Sequence, residues 1–323
     1  MDTGEDKPNV TGRRRFLAQL TAAATSAFAA GQADRADGSP AEDPGGPLPT
    51  IQLGRHRVSR LIAGWNPIAG HSYMGPFMDR HMREYFTVER TVAFLRRCES
   101  AGISAWQFDH HEKGIAAIRA LRQGGSKMKF ICLHAARSAD APVEKVVADT
   151  DPIAIVHHGG VTDKLFREGK SQQVHDFVKR VHDAGVMAGV SAHNPECIKR
   201  VADEGWPVDL FMTCFYYLTR PPEELQKMEP VPTLKVGHYP FFASDPMKMT
   251  EVVRQVDQPC LGFKILAAGR KCRHQQSVRE AFRFAFDRIK PTDAVLVGMY
   301  PRFHDQVREN AGYARQFGLA RST

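Results

Sequence analysis

From about Arg60 to Phe317, short apolar runs alternate with segments whose apolar residues recur at helical spacing. The runs Val58–Gly64, Ile103–Phe108, Met128–Leu133, Pro152–Val156, Val186–Val190, Val208–Thr213, Pro259–Ile265 and Ala294–Val297 predict eight strands. Helical spacing predicts helices over Thr87–Ala101, Gly114–Gln123, Pro142–Ala148, Ser171–Ala184, Pro195–Asp203, Asp245–Val256, Gln275–Ile289 and Asp305–Phe317. Gly102, Gly124 and Gly185 stop three of these, and Asn194 is placed to cap the helix opening at Pro195. Thr219–Ser244, rich in proline and aromatics, is the longest irregular insertion, and Met74–Met82 reads as a loop able to cap a pocket near Trp65, Asn66 and His71.

Regular strand–helix alternation implies parallel strands and right-handed crossovers. Eight such units, with no G-x-G-x-x-G after the first strand, predict an α/β protein folded as a closed (β/α)8 TIM barrel, over an open doubly wound sheet. In such a barrel the residues just past each strand meet on one rim, where the chemistry is done. Asp109 follows the second strand, His134 the third, His157 and His158 the fourth, Ser191 and His193 the fifth. Lys264 lies in or near the seventh strand and Tyr300 follows the eighth. That concentration of acid–base groups predicts an enzyme.

The chain has 323 residues, 42% hydrophobic and 25% charged, enough to bury a large core as one domain. Its net charge of +8 is spread over mixed-sign helices with no basic run carrying interleaved aromatics, so no nucleic-acid partner is expected. The six cysteines, Cys98, Cys132, Cys197, Cys214, Cys260 and Cys272, form no C-x-x-C pair and read as buried thiols.

Arg13-Arg14-Arg15-Phe16-Leu17 precedes a mildly apolar, alanine-rich stretch, and Ala27-Phe28-Ala29 offers a cleavage site. This resembles a twin-arginine export signal. The expected organisation is a signal peptide over residues 1–29, a disordered linker over 30–50, and one barrel domain over 51–323. The resemblance implies export by the twin-arginine translocase to the periplasm or beyond. The segment is too short and too weakly apolar to span a membrane well.

Several segments resemble the aldo-keto reductase family. Leu53-Gly54 through Leu61 to Gly64 is similar to its opening strands, and Gly102-Ile103 to Phe108-Asp109 to its second barrel strand. Ile155-Val156-His157 resembles the fourth, Ala188-Gly189-Val190-Ser191 the fifth, and Val297-Gly298 with Glu309-Asn310 the eighth and the cofactor's adenine site. The resemblance implies NADP, with Ser191, Tyr216, Glu309 and Asn310 as cofactor contacts. It implies an Asp–Tyr–Lys–His catalytic set, of which Asp109 and His157 match. Lys113 stands where the family has its tyrosine and His134 where it has its lysine.

The residues lead to three expectations. The first is acid–base chemistry of the lyase, isomerase or hydrolase kind on a small polar, sugar-like substrate, carried by Asp109, Lys113, His134, His157 and Lys264. A divalent metal, Zn, Mn or Fe, held by Asp109, His134, His157 and His193 would assist it. The second is an NADP-dependent oxidoreductase with a substituted proton donor. The third is a non-catalytic binding barrel. Lys264 in an apolar run suggests a Schiff-base or electrophilic lysine, or one that pairs with a carboxylate or snorkels to the rim.

Overall fold

A computed structural model of the protein describes residues 45–227 and 239–319. The expected signal peptide, most of the expected linker and part of the Thr219–Ser244 insertion lie outside the described residues.

The chain enters through a hairpin, β1 (Thr50–Leu53) and β2 (His56–Ser59), paired antiparallel with Ile51 opposite Val58. Gly54 makes the turn at φ +52°, and a side chain there would meet the Met187 sulfur at 2.6 Å. Glycine suits this left-handed backbone, and a larger residue would be strained there and would have to displace the Met187 side chain. The barrel strands follow: β3 (Leu61–Ala63), β4 (Ala105–Asp109), β5 (Lys129–His134), β6 (Ala154–His157), β7 (Met187–Ala192), β8 (Leu210–Cys214), β9 (Cys260–Phe263) and β10 (Ala294–Val297). All pair in parallel, and β10 pairs with both β9 and β3, so the sheet closes on itself. This is the expected (β/α)8 barrel.

The helices, in chain order, are α1 (Asn66–Ala69), α2 (Pro76–Tyr85), α3 (Val88–Ser100), α4 (Glu112–Gln123), α5 (Val143–Thr150), α6 (Gly159–Arg167), α7 (Gln172–Asp183), α8 (Pro195–Asp203), α9 (Pro222–Lys227), α10 (Asp245–Gln255), α11 (Gln275–Arg288) and α12 (Gln306–Phe317). Local chemistry sets several boundaries. The Thr87 hydroxyl accepts from Arg90 N–H at 3.2 Å to open α3. Asn194 accepts from Glu196 N–H at 3.1 Å, and Pro195 supplies the first turn of α8.

Four of these helices have no counterpart among the predicted elements: α1, α2, α6 and α9. The expected loop Met74–Met82 falls largely in α2. None of α2's side chains is fully buried; Met82 and Tyr85 half-bury against the core, and the Gly75-Pro76 pair that opens the helix reads as a turn. Helix α6 begins at Gly159-Gly160, a pair that reads as a break in a sequence. The ends of the insertion are pinned together: Arg220 grips the buried Asp245 carboxylate with two hydrogen bonds of 2.6 and 3.2 Å.

Two apolar layers result. Inside the barrel lie Ile62, Ala105, Ile131, Ala154, Val156, Leu210, Met212, Leu261 and Leu296, closed below by Ile51, Leu53 and Val58 of the hairpin. Between barrel and helices lie Trp106, Phe108, Cys132, Ile155, Phe177, Val190 and Phe282, among others. Because strand side chains alternate, this division tells which way each residue at a strand end points.

Candidate active site

Ala105 faces the barrel interior, so Gln107 and Asp109 on the same strand do too. The Gln107 amide donates to Asp109 Oδ1 at 3.3 Å. Burial raises the Asp109 carboxyl to a pKa of about 7, opposed by the Gln107 hydrogen bond and the charge of Arg137. At neutral pH this carboxyl exchanges protons readily, which is what a general base or acid needs. Its neighbours differ. His110 is tied to Asp149 at 3.0 Å, and His111 caps α4 by accepting from Lys113 N–H at 3.3 Å.

Asp109 opens on a cavity of about 930 Å³ that Lys113, His158, Arg83 and Arg137 also line. The Lys113 ammonium donates to the Ile68 carbonyl at 3.2 Å. Burial, then the charge of Arg83, lowers its pKa. His158 follows β6 on the interior side. Its Nδ1 accepts from Gly160 N–H at 3.2 Å, which places the proton on Nε2. Burial, reinforced by His193 and Lys264, holds its pKa near 4. It is therefore a neutral hydrogen-bond donor.

Next to it, His193 is held by Asp163 of α6. The carboxylate takes the ring Nδ1 at 2.9 Å, the His193 and Asn194 backbone N–H groups, and the Thr219 hydroxyl at 2.7 Å. A carboxylate only accepts, so Nδ1 carries the proton and Nε2 a lone pair. Burial lowers the His193 pKa, with Asp163 opposing. Asp163 escaped the sequence reading because its helix did; the signal was a carboxylate on a segment that directly follows the fourth predicted strand.

His134 and His157 are placed differently from expectation. Ile131 and Leu133 of β5, and Ala154 and Val156 of β6, occupy the barrel interior, so His134 and His157 turn outward. Both pack on Phe177 of α7, His134 stacked at 5.7 Å and His157 edge-on at 4.9 Å. The His134 ring reaches the cavity edge, but both its nitrogens are engaged, Nε2 donating to the Ala141 carbonyl at 2.8 Å and Nδ1 accepting from Ala136 N–H at 2.9 Å. His157 Nδ1 meets the Thr162 hydroxyl at 2.7 Å, and burial drives its pKa to about 3. Asp109, His134, His157 and His193 therefore do not converge as metal ligands. Among the described residues no group of three or more His, Cys, Asp and Glu is placed to hold a metal. The expected Zn, Mn or Fe site is corrected accordingly: strand parity separates its donors.

The residues expected at NADP are scattered with respect to the cavity. Ser191 sits inside the barrel end, its buried hydroxyl without a hydrogen-bond partner, and a side chain on Gly159 would meet that hydroxyl at 2.9 Å. Tyr216 is buried against Phe241 at 5.0 Å. Glu309 accepts from Gln275 at 3.1 Å and meets His304 at 3.4 Å, and Asn310 is buried within α12. None of the four lines the 930 Å³ cavity. Lys264 lies just past β9, in a left-handed backbone conformation, and not within the strand.

No family model matches the sequence, and no curated protein matches it. Solved structures with similar chain paths include a glycerol dehydrogenase from Gluconobacter oxydans, at 13% identity and a TM-score of 0.47, covering 85% of this chain and 91% of that one. An aldo-keto reductase from Bacillus halodurans aligns at 14% identity and a TM-score of 0.48, over 84% and 95%. A truncated 3-deoxy-D-arabino-heptulosonate 7-phosphate synthase from Thermotoga maritima aligns at 13% and 0.46, over 84% and 90%. The barrel assignment rests on the strand pairing itself. Among the described residues no helix is long and apolar enough to cross a membrane.

Proposed function

We propose that this protein is a barrel enzyme that moves a proton beside the carbonyl of a small polar, sugar-like substrate, in an isomerisation or elimination. The observation that carries this reading is the Asp109 carboxyl, poised near pH 7 in the same cavity as Lys113 and His158. Asp109 removes the proton on the carbon next to the carbonyl. His158, donating from Nε2, hydrogen-bonds the carbonyl oxygen as negative charge gathers there, and the Lys113 ammonium offsets that charge. In an isomerisation the same groups return the proton to the neighbouring carbon; in an elimination they hand it to the hydroxyl on the adjacent carbon, whose C–O bond breaks and which leaves as water.

Proton abstraction leaves a direct trace. Incubated in D2O with a panel of aldoses, ketoses and keto sugar acids, the protein should wash deuterium into at least one of them, read by proton NMR. Asp109→Asn should slow that exchange by about 10²–10⁴-fold, the usual worth of a general base. Exchange into no member of the panel, or exchange unchanged by Asp109→Asn, would sink the reading.

The competing reading is nicotinamide-dependent reduction. The unpartnered Ser191 hydroxyl favours it, and bound NADP in the native sample, found by mass spectrometry, would establish it. Arg13-Arg14-Arg15-Phe16-Leu17 supports a further proposal, export by the twin-arginine translocase. Replacing both Arg13 and Arg14 by Lys should then retain the protein inside the cell.

A further inference from the structure

Resting on the acid–base reading, one wall of the 930 Å³ cavity bears on the kind of ligand it takes. Trp65, Ala69 and His71 belong to that wall, and His111, Lys113 and Arg83 line the cavity with them. The three side chains lie along the segment from Trp65 through α1 to Gly70. The His111 ring packs on Trp65 at 6.3 Å, and the Lys113 ammonium donates to the Ile68 carbonyl at 3.2 Å. Two residues on, Arg83 crosses Gly70. Gly70 has φ +78°, and a side chain there would strike the Asp79 carbonyl at 2.5 Å and crowd Arg83 Cβ and Nε at 3.0 and 3.4 Å. The missing side chain lets α2 lie close, which brings the exposed Arg83 to the same cavity as Lys113.

This wall is short of negative charge. Among the described residues neither Arg83 nor Lys113 forms an ion pair. Asp140, on the far side of the cavity, pairs with Arg137 at 3.4 Å. On α2 itself Asp79 accepts from the Ser72 hydroxyl at 2.5 Å, and Glu84 pairs with Arg80 at 2.6 Å. Two of the cavity's histidines are fixed as donors: His111 and His158 each accept a helix N–H at Nδ1, at 3.3 and 3.2 Å, so each carries a proton on Nε2. The cavity therefore offers many donors and positive charges against one uncommitted carboxyl, Asp109. Two cations side by side repel, and after burial the Arg83 charge is what lowers the Lys113 pKa.

We infer that Arg83, beside Lys113, forms an oxyanion subsite in this cavity, which holds a carboxylate or phosphate of a sugar ligand while its reacting carbon faces Asp109. A guanidinium presents a fork of N–H groups that matches either oxyanion, and an anion placed there offsets the repulsion between the two cations.

Calorimetric titration of the full chain at low salt, with D-glucuronate, D-glucose 6-phosphate and D-glucose, tests this. At least one of the two anions should bind about tenfold or more tightly than glucose, and which one does so separates a carboxylate from a phosphate ligand. Arg83→Met should remove most of that preference, and Arg83→Lys should keep part of it. Lys179→Met deletes an equal charge from the exposed face of α7 and should leave the preference as it is. Arg83→Gln replaces the methionine variant if circular dichroism shows that the latter does not fold, and the wild-type preference is read without any variant. Neither anion binding more tightly than glucose, a preference that survives the neutral substitutions of Arg83, or one that falls equally in Lys179→Met overturns the inference. Asp109→Asn should leave the preference intact, so failure of the proton-transfer reading and failure of the oxyanion subsite are distinguishable.

Discussion

His157 and His158 are adjacent in the chain yet belong to different regions of the molecule. His157 ends β6 on its outer side, buried against Phe177 and bonded to Thr162. His158 sits one residue further on, turned into the mouth beside Asp109 and Lys113. Both are held neutral by burial, at pKa values of about 3 and 4. The outer histidine is spent on packing, while the inner one keeps an N–H aimed at the cavity. Residue type and burial are therefore poor guides to role at a barrel rim; the facing of the strand decides.

This contrast breaks most visibly at Phe177, the shared floor of the outer region. Phe177→Ala should cost about 3–5 kcal/mol of stability in urea denaturation, the usual range for deleting a buried phenyl ring. The folded fraction should keep its deuterium exchange. An equal loss of exchange would mean that the outer histidines also serve the chemistry. Next in size, His158→Asn keeps a side-chain oxygen to cap α6 but removes the Nε2 donor, and should slow exchange by about 10²-fold. His157→Phe should leave exchange nearly unchanged. The reverse ranking would return catalysis to His157.

The two regions should also respond to pH in opposite directions. The Asp109 pKa is raised from 3.8 to about 7, so the folded state keeps a proton that the unfolded chain has released, and this group lowers stability as pH rises from about 4 to 7. The His157 pKa is lowered from 6.5 to about 3, so its contribution is full above about pH 6.5 and is lost as pH falls toward 3. Denaturation midpoints across this range should lose the first slope in Asp109→Asn and the second in His157→Phe. Exchange by the wild type should climb as pH rises through about 7, because abstraction needs the ionised carboxylate. The smallest effect expected is at the α8 cap, where Asn194→Ala should cost about 1 kcal/mol by thermal melting. A loss of exchange without loss of stability there would show that the cap positions His193.

Much of the fold was legible before the structure. The barrel strands fall close to the predicted apolar runs, and Pro195–Asp203 is the helix predicted, with its Asn194 cap. Asp109 was legible as a rim carboxylate because it ends a strand between Phe108 and a polar turn. Helices α2 and α6 were not. The first opens on Gly75-Pro76, which reads as a turn, and the second on a glycine pair. Asp163, the partner that orients His193, was hidden with α6. The grouping of His134 and His157 with Asp109 failed for a related reason. A strand buried on both faces, such as Ala154-Ile155-Val156-His157, has no polar–apolar alternation from which to read its facing.

The order of strands and helices, and hence the closed barrel, follows from the sequence, because hydrophobic periodicity and glycine or proline breaks are local properties of the chain. So does the gathering of polar groups on one rim, which parallel connection imposes. The choice of groups that share the cavity does not follow. It depends on strand facing and on side chains brought together from far apart in sequence, such as Arg83, Asp109, Arg137 and His158. Those are set by packing across the barrel, where a shift of one residue exchanges mouth for core.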